Sequence, residues 1–364
     1  MHDMMEWLLF AAALLVAFGN GANDNFKGFA TVWGSQTLSY RQALGLATLA
    51  TAAGSLVSLT LADALVKQFS GAGLVPAAVA AAPPFILGVA VGAAAAVLLA
   101  TRLGFPVSTT HALIGGLIGA GLAQAGGQLQ VDRLAGSFVL PLLLSPVLAA
   151  GLGIAVHRLM RRRPARVDCA CLVAAPPAPL TVGAIALPAA GALMPSVVLA
   201  TDAQCDRIPT QARVSVPRSL DRLHILSAMS ICFARAVNDT PKLTALLVAA
   251  QLANARVSVA LAAAAMLIGG LLFSRRVAET MSRRVATMDH AQGLAANLIT
   301  AALVLFASKF GLPVSTTHVS VGSIGGVGAS AGTLDRRALR NVLLSWIATL
   351  PVAAVAAWVV ARLA

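Results

Sequence analysis

The stretch Gly104-Phe105-Pro106-Val107-Ser108-Thr109-Thr110-His111 returns about 207 residues later as Gly311-Leu312-Pro313-Val314-Ser315-Thr316-Thr317-His318, with seven of eight positions identical. The lead-ins correspond too, Ala100-Thr101-Arg102 against Ala307-Ser308-Lys309. Upstream of each copy lies a second matched pair. Phe18-Gly19-Asn20-Gly21-Ala22-Asn23-Asp24-Asn25-Phe26-Lys27 answers Phe233-Ala234-Arg235-Ala236-Val237-Asn238-Asp239-Thr240-Pro241-Lys242, offset by about 215. Similar offsets mean that the whole first half is echoed by the second, which is the signature of an internal duplication.

Composition places this duplication in a membrane. The chain is 58% hydrophobic and 11% charged, against roughly 25% charged in soluble domains, and its mean hydropathy is +0.84. Its 31 glycines suit close packing of helices in lipid. A net charge of +13 would point to nucleic acid in a soluble protein; here the arginines read as topology signals on cytoplasmic loops, and no nucleic-acid partner is expected. The leader Met1–Glu6 carries acidic residues and no Lys or Arg, so the apolar run from Trp7 reads as a first membrane segment rather than a cleaved signal.

Apolar segments fall near 7–39, 42–64, 83–101, 104–123 and 134–156, then near 221–252, 257–273, 291–308, 312–330 and 341–361. The expected fold is therefore an all-α polytopic membrane protein of about 10–12 transmembrane or re-entrant helices in two repeats, 1–156 and 218–364, joined by an Arg/Pro-rich loop, 157–217. An odd number of passes per half inverts one repeat relative to the other. Alternating sides from an outside N-terminus places 18 Lys and Arg on one face and 5 on the other, so the central loop is expected in the cytoplasm and both termini outside. Residues 7–39 are too long for one straight span, and 104–123 is rich in glycine. Both read as broken or re-entrant pieces, tolerated only around a protein-lined cavity. The loop, with Arg161-Arg162-Arg163-Pro164 and an apolar stretch interrupted by Pro188 and Pro195, reads as an interfacial or small cytoplasmic element. Cys169 and Cys171 read as reduced cytoplasmic thiols rather than a metal site, since the four cysteines have no zinc spacing.

A carboxylate at membrane depth is by default functional. Asp24 and Asp239 each adjoin an amide, Asn23 and Asn238, and this oxygen set suits a hard cation such as Na⁺, aided by carbonyls freed at a broken helix. Helix capping is the alternative role. Pro106 and Pro313 fit the first turn of a helix. Ser108, Thr109, Thr110, Ser315, Thr316 and Thr317 then present hydroxyls and unpaired amides at a positive dipole end, a site for an anion; hydrogen bonding between helices is the alternative. Lys27 and Lys242 either offset the aspartates, contact the anion, or snorkel to the interface. His111 and His318 either gate by protonation or are packed and hydrogen-bonded. Two carboxylates and an anion cannot share a dry cavity unneutralised, so two or more cations are expected to accompany the anion.

Gly-Ala-Asn-Asp followed by Pro-Val-Ser-Thr-Thr-His, with a version of each in both halves, resembles the inorganic phosphate transporter family known as PiT, over nearly all the chain except roughly 157–217. The resemblance implies a plasma-membrane symporter of inorganic phosphate, of the bacterial inner-membrane type, with Na⁺ or H⁺ as coupling ion, no further cofactor, and a homodimer as one allowed state. Other oxyanions such as sulfate, or a metal–phosphate complex carried with protons, remain alternatives. A membrane enzyme acting on a phosphorylated lipid is disfavoured, because a duplicated site does not suit a single catalytic centre. The chain departs from the pattern at Asn25-Phe26-Lys27-Gly28, where many relatives carry Val-Ala-Asn-Ala or similar, and at Ala236, where glycine is usual. It also has Thr51 and Asn297 where many relatives place Glu, which leaves the coupling ion and its number open.

Overall fold

A computed structural model describes residues 2–61, 69, 71, 73–160, 169–173, 196–207, 210–249, 254–312 and 314–364. Arg161-Arg162-Arg163-Pro164, Pro188, Pro195 and Pro313 lie outside the described residues. The long helices are α1 (His2–Asp24), α3 (Tyr40–Leu61), α4 (Pro83–Leu103), α5 (Thr109–Gln124) and α6 (Leu140–Met160), with a short α2 (Ala30–Gly34). In the second half they are α7 (Val216–Ala249), α8 (Ala255–Phe273), α10 (His290–Lys309), α11 (Thr316–Ala331) and α12 (Arg336–Leu363), with a shorter α9 (Arg275–Arg283). Six helical runs among the described residues are long and apolar enough to cross a membrane. Leu140, Leu143, Leu144 and Val147 on α6, and Leu344, Ile347 and Val355 on α12, are exposed. Such outward leucine faces suit a hydrocarbon solvent.

The chain forms two compact units, Met1–Leu159 with His224–Ala364, and Met160–Leu223. In the smaller, strands β1 (Cys169–Val173), β2 (Ser196–Ala200) and β3 (Thr210–Ser215) make an antiparallel sheet in the order β2-β1-β3. The fold is mostly helical, as expected, with this one small sheet in the smaller unit; the expectation of reduced thiols is corrected, since Cys171 is disulfide-bonded to Cys205. Spacing along the chain could not show this, because the β1 strand and the short helix Asp202–Cys205 bring together cysteines 34 residues apart.

In the larger unit the halves pack on each other reciprocally, through glycines that face a backbone carbonyl. Gly269 of α8 lies against the Phe18 carbonyl of α1, and its counterpart Gly54 of α3 lies against the Phe233 carbonyl of α7. Gly115 and Gly119 of α5 lie against Leu350 and Ala354 of α12, while Gly322 and Gly326 of α11 lie against Pro146 and Ala150 of α6. Each of these contacts is repeated with the halves exchanged. Such self-complementary pairing is what a two-fold relation produces. Small residues let these backbones touch without the apolar driving force that water would supply.

Two expectations need correction. The first segment of repeat one does break: α1 ends at Asp24, and a 3₁₀ turn, Lys27–Phe29, leads into α2. Its counterpart does not, because α7 runs unbroken through Asn238 and Asp239 and contains Pro241. At the break the Asn25 side chain is held by Thr48 and Thr51 of α3. The stretch between the apolar segments 257–273 and 291–308 is not a simple connection: it contains α9, whose Val277, Ala278 and Met281 are buried while Arg275 and Arg276 stay exposed.

A Cβ on Gly119 would collide with the Ala354 carbonyl, whereas one on Gly151 of α6 meets nothing within 4 Å. Gly119→Ala is therefore expected to cost about 1–3 kcal/mol by overpacking, and Gly151→Ala to leave the thermal unfolding midpoint of the detergent-solubilised protein unchanged or raised. Equal midpoints for the two would disprove the close crossing.

Candidate functional site

The paired Ser-Thr-Thr stretches are set by the same local grammar twice. Helix α4 ends on Gly104 at φ 76°, a left-handed cap that glycine adopts without strain. The Gly104 and Phe105 amides then donate back to the Thr101 and Ala100 carbonyls at 3.0 and 2.9 Å. In the second half Gly311 has φ 66°, and the Gly311 and Leu312 amides donate to Ser308 and Ala307. Each following helix is capped by its serine, with Ser108 Oγ accepting from the His111 amide and Ser315 Oγ from the His318 amide. Pro106 is not in the first helical turn as expected. It lies in the linker, and its carbonyl accepts a hydrogen bond from Trp346 Nε1 at 2.9 Å.

The amides Asn23 and Asn238 tie down these linkers. Asn23 donates to Thr101 Oγ1 at 2.9 Å and to the Phe105 carbonyl at 3.0 Å, and accepts from the Val107 amide. Asn238 donates to the Val314 carbonyl and accepts from Ser308 Oγ. Asn238 Nδ2 also donates to Asp239 Oδ1 at 3.1 Å, so the Asn23 amide is spent on backbone and hydroxyl partners and the Asn238 amide on these and a carboxylate.

The aspartates, lysines and one arginine form a single buried network. Lys27 Nζ donates to Asp24 Oδ1 at 2.5 Å, the Val107 carbonyl at 2.7 Å and Thr317 Oγ1 at 2.5 Å. Lys242 Nζ donates to Asp239 Oδ1 at 3.2 Å, the Val314 carbonyl at 3.3 Å and Thr110 Oγ1 at 2.9 Å. These are duplicate triads, each taking its hydroxyl from the opposite half. Asn20 Nδ2 bridges the two carboxylates, 3.4 Å from Asp24 Oδ2 and 3.1 Å from Asp239 Oδ2, and also donates to Thr109 Oγ1 at 3.0 Å. The structure therefore brings Asp24 and Asp239 together and buries both lysines, at 3% and 1% exposure, which rules out snorkelling.

Arg235 was missed as a site residue. It occupies the position that corresponds to Asn20, is 1% exposed, and donates to Asn20 Oδ1 at 3.0 Å and Thr51 Oγ1 at 2.8 Å, with Asp239 Oδ2 3.9 Å away. Its Nε is buried without a partner. The available signal was an arginine inside a duplicated membrane motif, where any charge is functional by default. Two aspartates, two lysines and one arginine sum to one positive charge, so Arg235 adds a surplus beyond the two Asp–Lys pairs.

Of the six hydroxyl residues, Ser108 and Ser315 are spent as caps, and Thr110 and Thr317 on the ammonium groups. Thr109 and Thr316, both buried, head the two helices. His111 and His318 meet edge to face at 4.5 Å, and His318 stacks on Trp346 at 3.9 Å. His318 Nδ1 lies 3.2 Å from the Leu142 carbonyl, which Pro146, lacking an N–H, leaves without its helical donor. The packed role is therefore what the structure gives His318. Cys169, Cys171 and Cys205 cluster within 4.8 Å, and the disulfide accounts for two of them.

A family model described as the phosphate transporter family matches residues 20–357. A Pyrococcus abyssi protein named as a phosphate permease is 26% identical, covering 96% of each chain. The chloroplastic inorganic phosphate transporter 2-1 of Arabidopsis thaliana is 27% identical over 93% of this chain and 68% of its own length. Among solved structures, one titled the sodium-dependent phosphate transporter superposes with a TM-score of 0.77 at 20% identity, covering 99% of this chain and 98% of its own. At that identity the likeness establishes the fold.

Removing one partner of a buried pair leaves an uncompensated charge and costs about 3–5 kcal/mol. Asp24→Asn is thus expected to lower the thermal midpoint strongly, and adding Lys27→Met to restore most of it. A single variant as stable as the parent would refute the pairing.

Proposed function

We propose that this chain, which belongs to the phosphate transporter family, is a secondary transporter that carries inorganic phosphate through a site between its two repeats. The anion binds between the N-terminal ends of α5 and α11, to the Thr109 and Thr316 hydroxyls and the free amides behind them. Arg235 supplies the surplus positive charge. The observation that carries this reading is the pair of helix N-termini brought onto one buried polar network with one net positive charge. The donors are neutral except for a single guanidinium, as a carrier needs, since a site of several unpaired cations would not release its cargo. The relatives bear the names of transporters and permeases, and an enzyme reading has no support in the site.

The repeats lie inverted in the plasma membrane, related by the two-fold axis that the reciprocal glycine contacts imply, so that exchange of their conformations opens the site alternately to each side. Following the positive-inside count, the 157–217 segment is cytoplasmic and both termini are outside. Cysteine introduced at Arg207 should resist a membrane-impermeant maleimide in intact cells and react after lysis. Reaction in intact cells would overturn this topology.

Uptake of radiolabelled phosphate into proteoliposomes tests the function. Thr109→Val and Thr316→Val keep side-chain shape but remove a donor, so each is expected to weaken phosphate binding by about 1–3 kcal/mol, raising the half-saturation concentration by roughly one order of magnitude or more. Unchanged half-saturation in both variants would move the anion elsewhere, and stronger competition by sulfate than by unlabelled phosphate would make sulfate the substrate.

A further inference from the structure

The two lysine triads have a composition that decides more than local stability. Around Lys27 Nζ converge a carboxylate, a backbone carbonyl and a hydroxyl, from Asp24, Val107 and Thr317. The same three oxygen types converge on Lys242 Nζ, from Asp239, Val314 and Thr110. Oxygen-only cages of this kind, with one anionic ligand, are how proteins hold hard cations. Here each cage already holds one, tethered to the chain. An ammonium has three N–H donors and no acceptor, and three oxygens receive them.

We propose that Lys27 and Lys242 are built-in cations that fill the two cation positions of the transport site, so that phosphate moves without sodium bound beside Asp24 or Asp239. This rests on the reading of Thr109 and Thr316 as the anion site. Three features support it. First, the two cages exchange under the duplication, so the same arrangement occurs at the same place in each half. Second, both ammonium groups are buried and engaged on all three donors. An entering Na⁺ would find the oxygens taken and a like charge at hydrogen-bond distance, in an interior where screening is weak. Third, Arg235 leaves one positive charge beyond the two Asp–Lys pairs, so a phosphate monoanion is neutralised by the protein itself. A residue ligand cannot dissociate to either side of the membrane. Neither cage therefore carries an ion flux, and neither contributes a sodium gradient to the driving force.

The test reads sodium at the cages separately from transport. Thermal unfolding midpoints of the purified full chain are measured in NaCl and in choline chloride of equal ionic strength, for the parent and for Lys27→Asn and Lys242→Asn. A ligand that binds the folded state raises its midpoint. The parent is expected to show no difference between the salts, and each variant, with a vacated cage and an unpaired aspartate, a midpoint raised selectively by NaCl. Saturable binding of ²²Na⁺ should likewise be absent in the parent and present in the variants. Sodium-specific stabilisation or saturable ²²Na⁺ binding in the parent would overturn the proposal, as would variants that fold yet ignore sodium. Radiolabelled phosphate uptake into parent proteoliposomes should proceed equally in NaCl and choline chloride, and uptake that requires sodium would again overturn it. Absence of uptake in every medium would instead sink the transport reading, while the midpoints and ²²Na⁺ binding still decide the cages.

Discussion

Five charged side chains sit where water is scarce, and the rest of the membrane unit is arranged so that each has a partner. Isolated, any one would be prohibitively costly to desolvate. Asp24 holds Lys27, Asp239 holds Lys242, and Arg235 lies between Asp239, Asn20 and Thr51. Each half pairs its own carboxylate and ammonium, but each ammonium also takes a threonine hydroxyl from the opposite repeat. The polar centre therefore specifies how the halves meet, although such pairs add little net stability over apolar packing.

Around that centre the helices approach at glycines. The reciprocal crossings of α1 with α8 and α3 with α7, and of α5 with α12 and α6 with α11, place backbone against backbone. Glycine and serine caps flank the linkers at 104–108 and before Ser315. Asn23 and Asn238 anchor those linkers from the neighbouring helices. The break after α1 lets Lys27 turn back toward Asp24. On the unbroken α7, Lys242 reaches Asp239 one turn away. The same pair is thus reached by two backbone routes.

The symmetry is deliberately incomplete at one place. Asn20 and Arg235 are counterparts, one neutral and one charged. Were both neutral, the network would carry no net charge; were both arginine, it would carry two surplus charges. The single guanidinium gives the network its one net positive charge.

Much of this was legible in the chain itself. The duplication, the membrane class, the helix–linker–helix hairpins at the Ser-Thr-Thr stretches and the break after Asp24 follow from periodicity, glycine and proline placement, and the cost of a charge in lipid. Those are local or compositional constraints, and a sequence states them directly. What the tertiary structure decided were the pairings. That Asn23 binds a linker rather than an ion, that Thr110 and Thr317 serve the ammonium groups of the opposite repeat, and that Arg235 joins both aspartates through Asn20 depend on contacts between residues tens to hundreds of positions apart. The unbroken course of α7, the disulfide from Cys171 to Cys205 and the sheet β2-β1-β3 belong with them. Hydrogen bonds and ion pairs act over a few ångströms, and only the folded chain determines which groups come that close.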